Sequence, residues 1–394
     1  MSALTATIAA PTDAAFLDAI RAAGQIAAEQ AGDVDRNARF PKEGIAALRE
    51  AQALSAYVPE RLGGLGVSFD ALGEACFELG RCCANTAMVF AMHQIQVHSL
   101  VGHTEGSDWY ERYLESLVAE QRLISSATSE VGTGGDLGAS VAALTTEADG
   151  RVSFTKQAPT ISYGVESDDL LTTLRRTPDA EPGDQILILT SIAETTMETM
   201  GGWDPMGMRG TCSPGAVLSA TASAEQVVPT SFAEVSAQSM VPSTHILWAW
   251  VWLGIATDAF DRARAFVRAA AAKDATAATT SGVKLSHLLA ELTLMRAEVR
   301  QAHDQYVEAA ENYPESLSTV ATALRINMVK ITAADAVARI CQGALGVCGI
   351  MGYKNDTPFS VGRHIRDSLS ASLMVTNDRI HRTNAQLLLV AKDV

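Results

Sequence analysis

A chain of 394 residues is long enough for two or three packed units, and 47% hydrophobic with 19% charged residues is a globular composition. A formal net charge of −15 excludes general affinity for nucleic-acid backbone, which needs clustered Lys and Arg. The six cysteines follow neither zinc-ligand nor disulfide-framework spacing, and the most apolar run, Ile246 to Ala256, is about half a bilayer span. With no basic and apolar leader pattern at Met1 to Asp13, the expectation is a cytoplasmic protein without membrane, nucleic-acid or metal partners.

Residues 1–122 are patterned as helices. Ala15 to Ala31 carries Phe16, Ile20 and Ala23 on one face, and Phe40-Pro41 opens a second helix. The loop Val58 to Gly66 combines Pro59 with three glycines, which permits tight turns. Two more helices follow, Phe69–Cys82 and Asn85–Leu100, the latter holding His93. His93 reads either as pocket-lining or as a core or surface histidine.

Residues 123–230 change to β. Asp149-Gly150 is a two-residue hairpin signal between Leu144–Ala148 and Arg151–Phe154. Leu170–Leu174 and Ile186–Leu189 form a second hairpin across a Pro- and Asp-rich turn, and Ala216–Ala222 reads as a further strand. Strands so spaced predict a small antiparallel sandwich or barrel. Residues 231–394 return to long helices. From Leu285 to Ala309 the less polar positions alternate by three and four, the seam of a bundle. Pro314 breaks the chain before Leu317 to Leu345 repeats the pattern, so these two helices are expected to be antiparallel neighbours. The fold class is therefore α+β, with a central β unit between helical ends.

Two stretches carry polar and glycine punctuation that points to a site. Ser129 to Asp136 has three glycines after a strand, a loop whose N–H groups can wrap phosphate or a ring edge. It lacks Gly-Lys-Ser/Thr and opens no βαβ unit, so it is neither a P-loop nor a dinucleotide fingerprint. Residues 346–382 join a Gly-rich turn (Gly346, Gly349, Gly352), a helix with Arg363, Arg366 and Asp367, and the polar break Thr376-Asn377-Asp378.

Together these motifs resemble the acyl-CoA dehydrogenases. Pro59 with Gly63-Gly64 and Gly66 is similar to that family's P-x-x-x-G-G-x-G loop, and Ser129 to Asp136 to its T-E-P-G-A-G-S-D. Thr160-Ile161-Ser162 stands for W-I-T and Met206 to Thr211 for M-G-x-R-G-S. Gly349, Gly352-Tyr353, Asp356, Pro358, Arg363 and Arg366-Asp367 follow the family's closing pattern. The resemblance implies a C-terminal four-helix bundle and an FAD cofactor contacted by Thr128, Ser129, Gly134, Gly135, Thr160, Ile161, Ser162, Gly349 and Asn377. It also implies an acyl thioester substrate, on CoA or an acyl carrier protein, an electron acceptor left unidentified, and assembly as a homotetramer or homodimer.

Several working positions depart from the family pattern. Its catalytic glutamate falls on Val375, which cannot act as a base, and the alternative glutamate position falls near Thr244. The D-x-x-R pair that helps hold acyl-CoA becomes Pro242 and His245, R-x-x-F-G falls on Ala269–Ala272, and the ring-stacking Trp is Thr160. Three readings follow. One is a thioester-oxidising flavoenzyme whose base comes from elsewhere, with His93 and Asp378 the candidates and Asp378 alternatively a helix cap. The second is an oxygen-using flavin monooxygenase of the same fold, which His93 and Ser162 would fit. The third is a non-catalytic subunit beside a glutamate-bearing partner.

Overall fold

The computed structural model describes residues 11–273 and 278–392. Its N-terminal part consists of helices α1 (Pro11–Asn37), α2 (Lys42–Glu50), α3 (Phe69–Cys82), α4 (Ala84–His103) and α5 (Asp108–Glu120). Ser68 starts α3 by accepting from the Ala71 N–H, and its hydroxyl is held 2.7 Å from Asp13 of α1. In the Pro/Gly loop a Cβ on Gly64 would stand 2.0 Å from the Val58 carbonyl oxygen, so only glycine allows the turn to close. Helix α4 is buried almost all round, with β strands on one side and the C-terminal bundle on the other.

The central part holds β1 (Ile124–Ala127), β2 (Thr145–Thr146), β3 (Val152–Ala158), β4 (Asp169–Arg175), β5 (Gln185–Ser191), β6 (Thr195–Met200) and β7 (Gly215–Ala222). They form two sheets, ordered β1-β4-β5 and β2-β3-β7-β6, around a core that includes Phe154, Leu170, Ile186 and Leu218. Both expected hairpins are present, β2 with β3 and β4 with β5. One pairing corrects the all-antiparallel expectation. Strand β1 runs parallel to β4, Ile124 opposite Asp169, because the chain crosses to the other sheet between them. Strand β6 was not foreseen. It is an edge strand with exposed polar positions, which blurs its apolar alternation.

The C-terminal part begins with α6 (Phe232–Val235) and a π-helical turn at Ser236–Met240. The long helices α7 (Val241–Ala271), α8 (Ala278–Asn312) and α9 (Val320–Cys348) follow, then α10 (Ile350–Tyr353), α11 (Gly362–Leu369) and α12 (Asn377–Leu387). Helix α7 is the hub, packing on α3, α4, α8 and α9, so its Trp-rich run Ile246–Ala256 is core. Leu288 of α8 lies against Gly343 of α9, near opposite ends of the two helices, which makes them antiparallel as expected. Helix α9 is long and apolar enough to cross a bilayer, yet here it is packed against α7 and α8.

Candidate active site

Where the three parts meet, the structure encloses a cavity of about 710 Å³. One wall is α4 through Met88, Met92 and Gln96, and another is the β unit through Thr128, Ser129, Gly134, Gly135, Thr160 and Ser162. A third is the face of α7 carrying Val241, Thr244, His245 and Trp248, four positions that helical spacing brings together. The chain from Arg366 to Arg379 closes it, with Val375 in the lining.

The glycine loop is anchored from below. Glu130 is buried, accepts from the Ala142 N–H at 2.5 Å and lies 3.6 Å from the ammonium of buried Lys156. Burial pulls the Lys156 pKa down to about 8 although Glu130 opposes the shift. Above this pair Gly132, Gly134 and Gly135 all have positive φ, and nothing stands within 4 Å of a Cβ on Gly134. The loop therefore leaves open space beside its backbone. Ser129 donates to the Thr160 carbonyl at 2.9 Å, tying the loop to the Thr160–Ser162 segment. There Ser162, Ser213 and Thr211 form a hydroxyl chain with 3.0 Å contacts on either side of Ser213.

His245 is the residue the motifs undervalued. It is buried, lines the cavity, and has Nδ1 3.1 Å from the Ile326 carbonyl. A carbonyl only accepts, so Nδ1 carries the proton and Nε2 keeps its lone pair. Burial lowers the imidazole pKa to about 4; the Ile326 bond opposes this and the Lys330 charge adds to it. Among the described lining residues there is no Asp or Glu, and His245 is a lining side chain that presents an unprotonated ring nitrogen at neutral pH. The indole N–H groups of Trp203 and Trp248 and the Gln96 side-chain oxygen also lack partners. They offer two donors and an acceptor to an occupant. The spacing of Val241, Thr244, His245 and Trp248 on one helical face is the sequence signal that reveals this wall.

Other expected site residues lie elsewhere. His93 is fully buried, with Nε2 2.6 Å from the Leu54 carbonyl and Nδ1 accepting from the Ile124 N–H at 3.0 Å. Both nitrogens are used in joining α4 to β1, which removes His93 as a candidate base. Asp378 is exposed in the first turn of α12, outside the cavity lining. Thr376, not Asp378, occupies the cap position of that helix, and it makes no side-chain cap bond. Ile161 is buried in the β core, Gly349 ends α9, and the Asn377 side chain bonds Lys330 and Asp335, so none of the three lines this cavity. Among the described residues no group of three His, Cys, Asp or Glu side chains is placed to hold a metal.

Two family models match the chain, "Acyl-CoA dehydrogenase, N-terminal domain" over residues 11–121 and "Acyl-CoA dehydrogenase, C-terminal domain" over residues 236–386. The probable acyl-CoA dehydrogenase fadE25 of Mycobacterium leprae is 34% identical over 110 residues, 28% of this chain and 28% of that protein. The short-chain specific mitochondrial acyl-CoA dehydrogenase of Bos taurus is 28% identical over 120 residues, 30% of this chain and 29% of that protein. The matched stretch is thus under a third of those relatives' length. Solved structures resemble the whole chain. FMN-bound TdsC from Paenibacillus sp. A11-2 superposes with a TM-score of 0.83 at 20% identity, covering 95% of this chain and 97% of that one. Butyryl-CoA dehydrogenase from Megasphaera elsdenii gives 0.79 at 19%, covering 96% and 98%. At such identities the likeness is one of fold.

Proposed function

Because the chain belongs to the acyl-CoA dehydrogenase family of flavoenzymes, we propose that it is an FAD-dependent oxidoreductase acting on an acyl thioester, carried on CoA or a carrier protein. In this reading its proton acceptor is His245 on α7 and not a carboxylate at position 375. The observation that carries it is the lining itself, in which the neutral imidazole of His245 takes the place of any Asp or Glu. The residues fit a flavin. An apolar cavity of about 710 Å³ accommodates a planar ring, while the open backbone at Gly134 and the unpartnered Trp203 N–H suit its polar edge. When bound, the flavin would supply acceptance of two electrons. The chain's own part is to seat the acyl group among Met88, Met92 and Trp248, exclude water, and hold a proton at His245 Nε2. Assembly from like copies is supported by exposed Ile350 and Tyr353 beside the end of α9, and the cytoplasm is the proposed location.

The test is anaerobic reduction of the flavin-reconstituted enzyme by acyl thioesters. Wild type should bleach, and His245→Gln, with its flavin absorbance intact, should bleach about 100-fold or more slowly. The wild-type rate should be flat near neutrality and fall as pH drops toward about 4, where the imidazole protonates. Equal bleaching by His245→Gln would remove the proposed role. Chromatography of the released cofactor separates FAD from FMN. A second reading, flavin-dependent oxygenation, is favoured by the same absence of a lining carboxylate and by the fold shared with TdsC, a dibenzothiophene monooxygenase. It predicts no bleaching by thioester, but reduction by NAD(P)H or external reduced flavin followed by oxygen uptake.

A further inference from the structure

Phe232, Ser236, Met240, Thr244 and Trp248, four positions apart along one continuous helix, all line the central cavity. Their spacing in an unbroken α-helix would not put them on one face. At about 100° per residue, Phe232 would stand about 160° and Ser236 about 120° round the axis from Trp248. The π-helical turn at Ser236–Met240 removes that conflict. Such a turn holds about one residue more than an α-helical turn, so the chain before it is rotated by about 100° relative to α7. Phe232 then falls about 60° and Ser236 about 20° from Trp248, on the cavity side.

The sequence supports this turn with hydroxyl groups. Widening a helix takes carbonyls out of the regular ladder, and each must find another donor. Ser239 donates to the Val235 carbonyl at 2.9 Å, Ser243 to the Ser239 carbonyl at 2.6 Å and Thr244 to the Met240 carbonyl at 2.6 Å. From α8, Tyr306 donates to the Gln238 carbonyl at 3.1 Å. The two residues brought round differ in character. Phe232 is buried, whereas Ser236 is half-buried and its hydroxyl has no hydrogen bond among the described residues. Along the helix axis the lining from Phe232 to Trp248 extends for about 20 Å. The cavity therefore follows this helix as a slot, with Phe232 and Ser236 in the wall at one end.

We propose that Phe232 and Ser236 determine specificity, setting the length of the apolar group that the cavity accepts along this helix. Under the function proposed above, on which this identification of the group rests, it is the acyl chain; the wall itself acts on any apolar chain. Titration calorimetry of the full chain with neutral 1-alkanols, from butanol to decanol, probes the wall without flavin or thioester chemistry. Affinity for wild type should rise about fourfold per added CH2 up to a limiting length and then level off. Ser236→Leu breaks no observed side-chain bond, so it should keep the wild-type melting temperature, and it should shorten the limit by about two carbons. Phe232→Ala should lengthen the limit by about two carbons. A limiting length shared by wild type and both variants overturns the proposal, and so does failure of wild type to bind any of these alkanols. If Phe232→Ala does not fold, Ser236→Leu decides alone. Acyl thioesters of matching length, read by flavin bleaching, should show the same order of limits. An alkanol limit that moves with the variants while no thioester bleaches the flavin removes the thioester reading and leaves the role of this wall standing.

Discussion

Val375 is a β-branched residue held at φ 47°, in the left-handed region that favours glycine. A conformation of this kind costs about 1–3 kcal/mol and persists where neighbours enforce it. Here the enforcing group is Lys330, whose ammonium donates to the Val375 carbonyl at 2.8 Å and to Asn377 Oδ1 at 2.7 Å. Asn377 in turn donates to Asp335 at 3.1 Å. Burial pulls the Lys330 pKa down to about 8, with Asp335 opposing. Lys330→Met should release this turn and lower stability by about 1–3 kcal/mol in urea denaturation, with faster amide exchange at residues 375–379. Unchanged stability and exchange would mean that the turn holds itself. Position 375 stood out in the sequence as a non-basic residue in a family motif. Its backbone geometry was not legible, because a lysine 45 positions earlier in the chain creates it.

At the scale of elements, the segment from Trp203 to Cys212 is a clamp between the helical ends. The Gly210 N–H donates to Asn85 of α4 at 2.8 Å, and the Met208 N–H to Asp367 of α11 at 2.7 Å. Burial raises the Asp367 pKa to about 6, with the Met208 bond opposing. Arg366 adds the Asp35 pair and a bond to the Met206 carbonyl. Gly207 passes so close to α11 that a Cβ would stand 2.0 Å from the Arg366 carbonyl oxygen, so Gly207→Ala must part the two. We expect a loss of more than about 3 kcal/mol of stability and weaker flavin retention, read by thermal melting and fluorescence; a wild-type melt would contradict the close approach. Elements whose pattern is set locally were legible. The alternating seam of α8 is buried from Leu288 to Tyr306, with only its ends, Leu285 and Ala309, half-exposed. In α9 the same pattern fails at exposed Met328, which lies near Asn384 on the side covered by α12. Parallel pairing of β1 with β4 and the clamp itself depend on partners far apart in sequence, and no local spacing records them.

For the molecule as a whole, buried histidines set the response to acid. His93, His98 and His245 are each held by burial at a pKa of about 4, below the ordinary 6.5. Between those values the unfolded chain takes up protons that the fold refuses, so stability rises with pH there and levels off above. Asp367, raised to about 6 from 3.8, works the opposite way over most of that window. For these four groups the balance is roughly two protons, a slope near pH 5 of about 2 kcal/mol per pH unit. The urea midpoint should fall between pH 7 and pH 5, and a midpoint that holds or rises would show that these histidines titrate normally. Helical ends joined through one hub and one clamp also share a partition: Pro205, Met206 and Arg366 line both the central cavity and an arginine-rich cleft on its outer side, so a substitution in that partition alters the walls of both spaces at once.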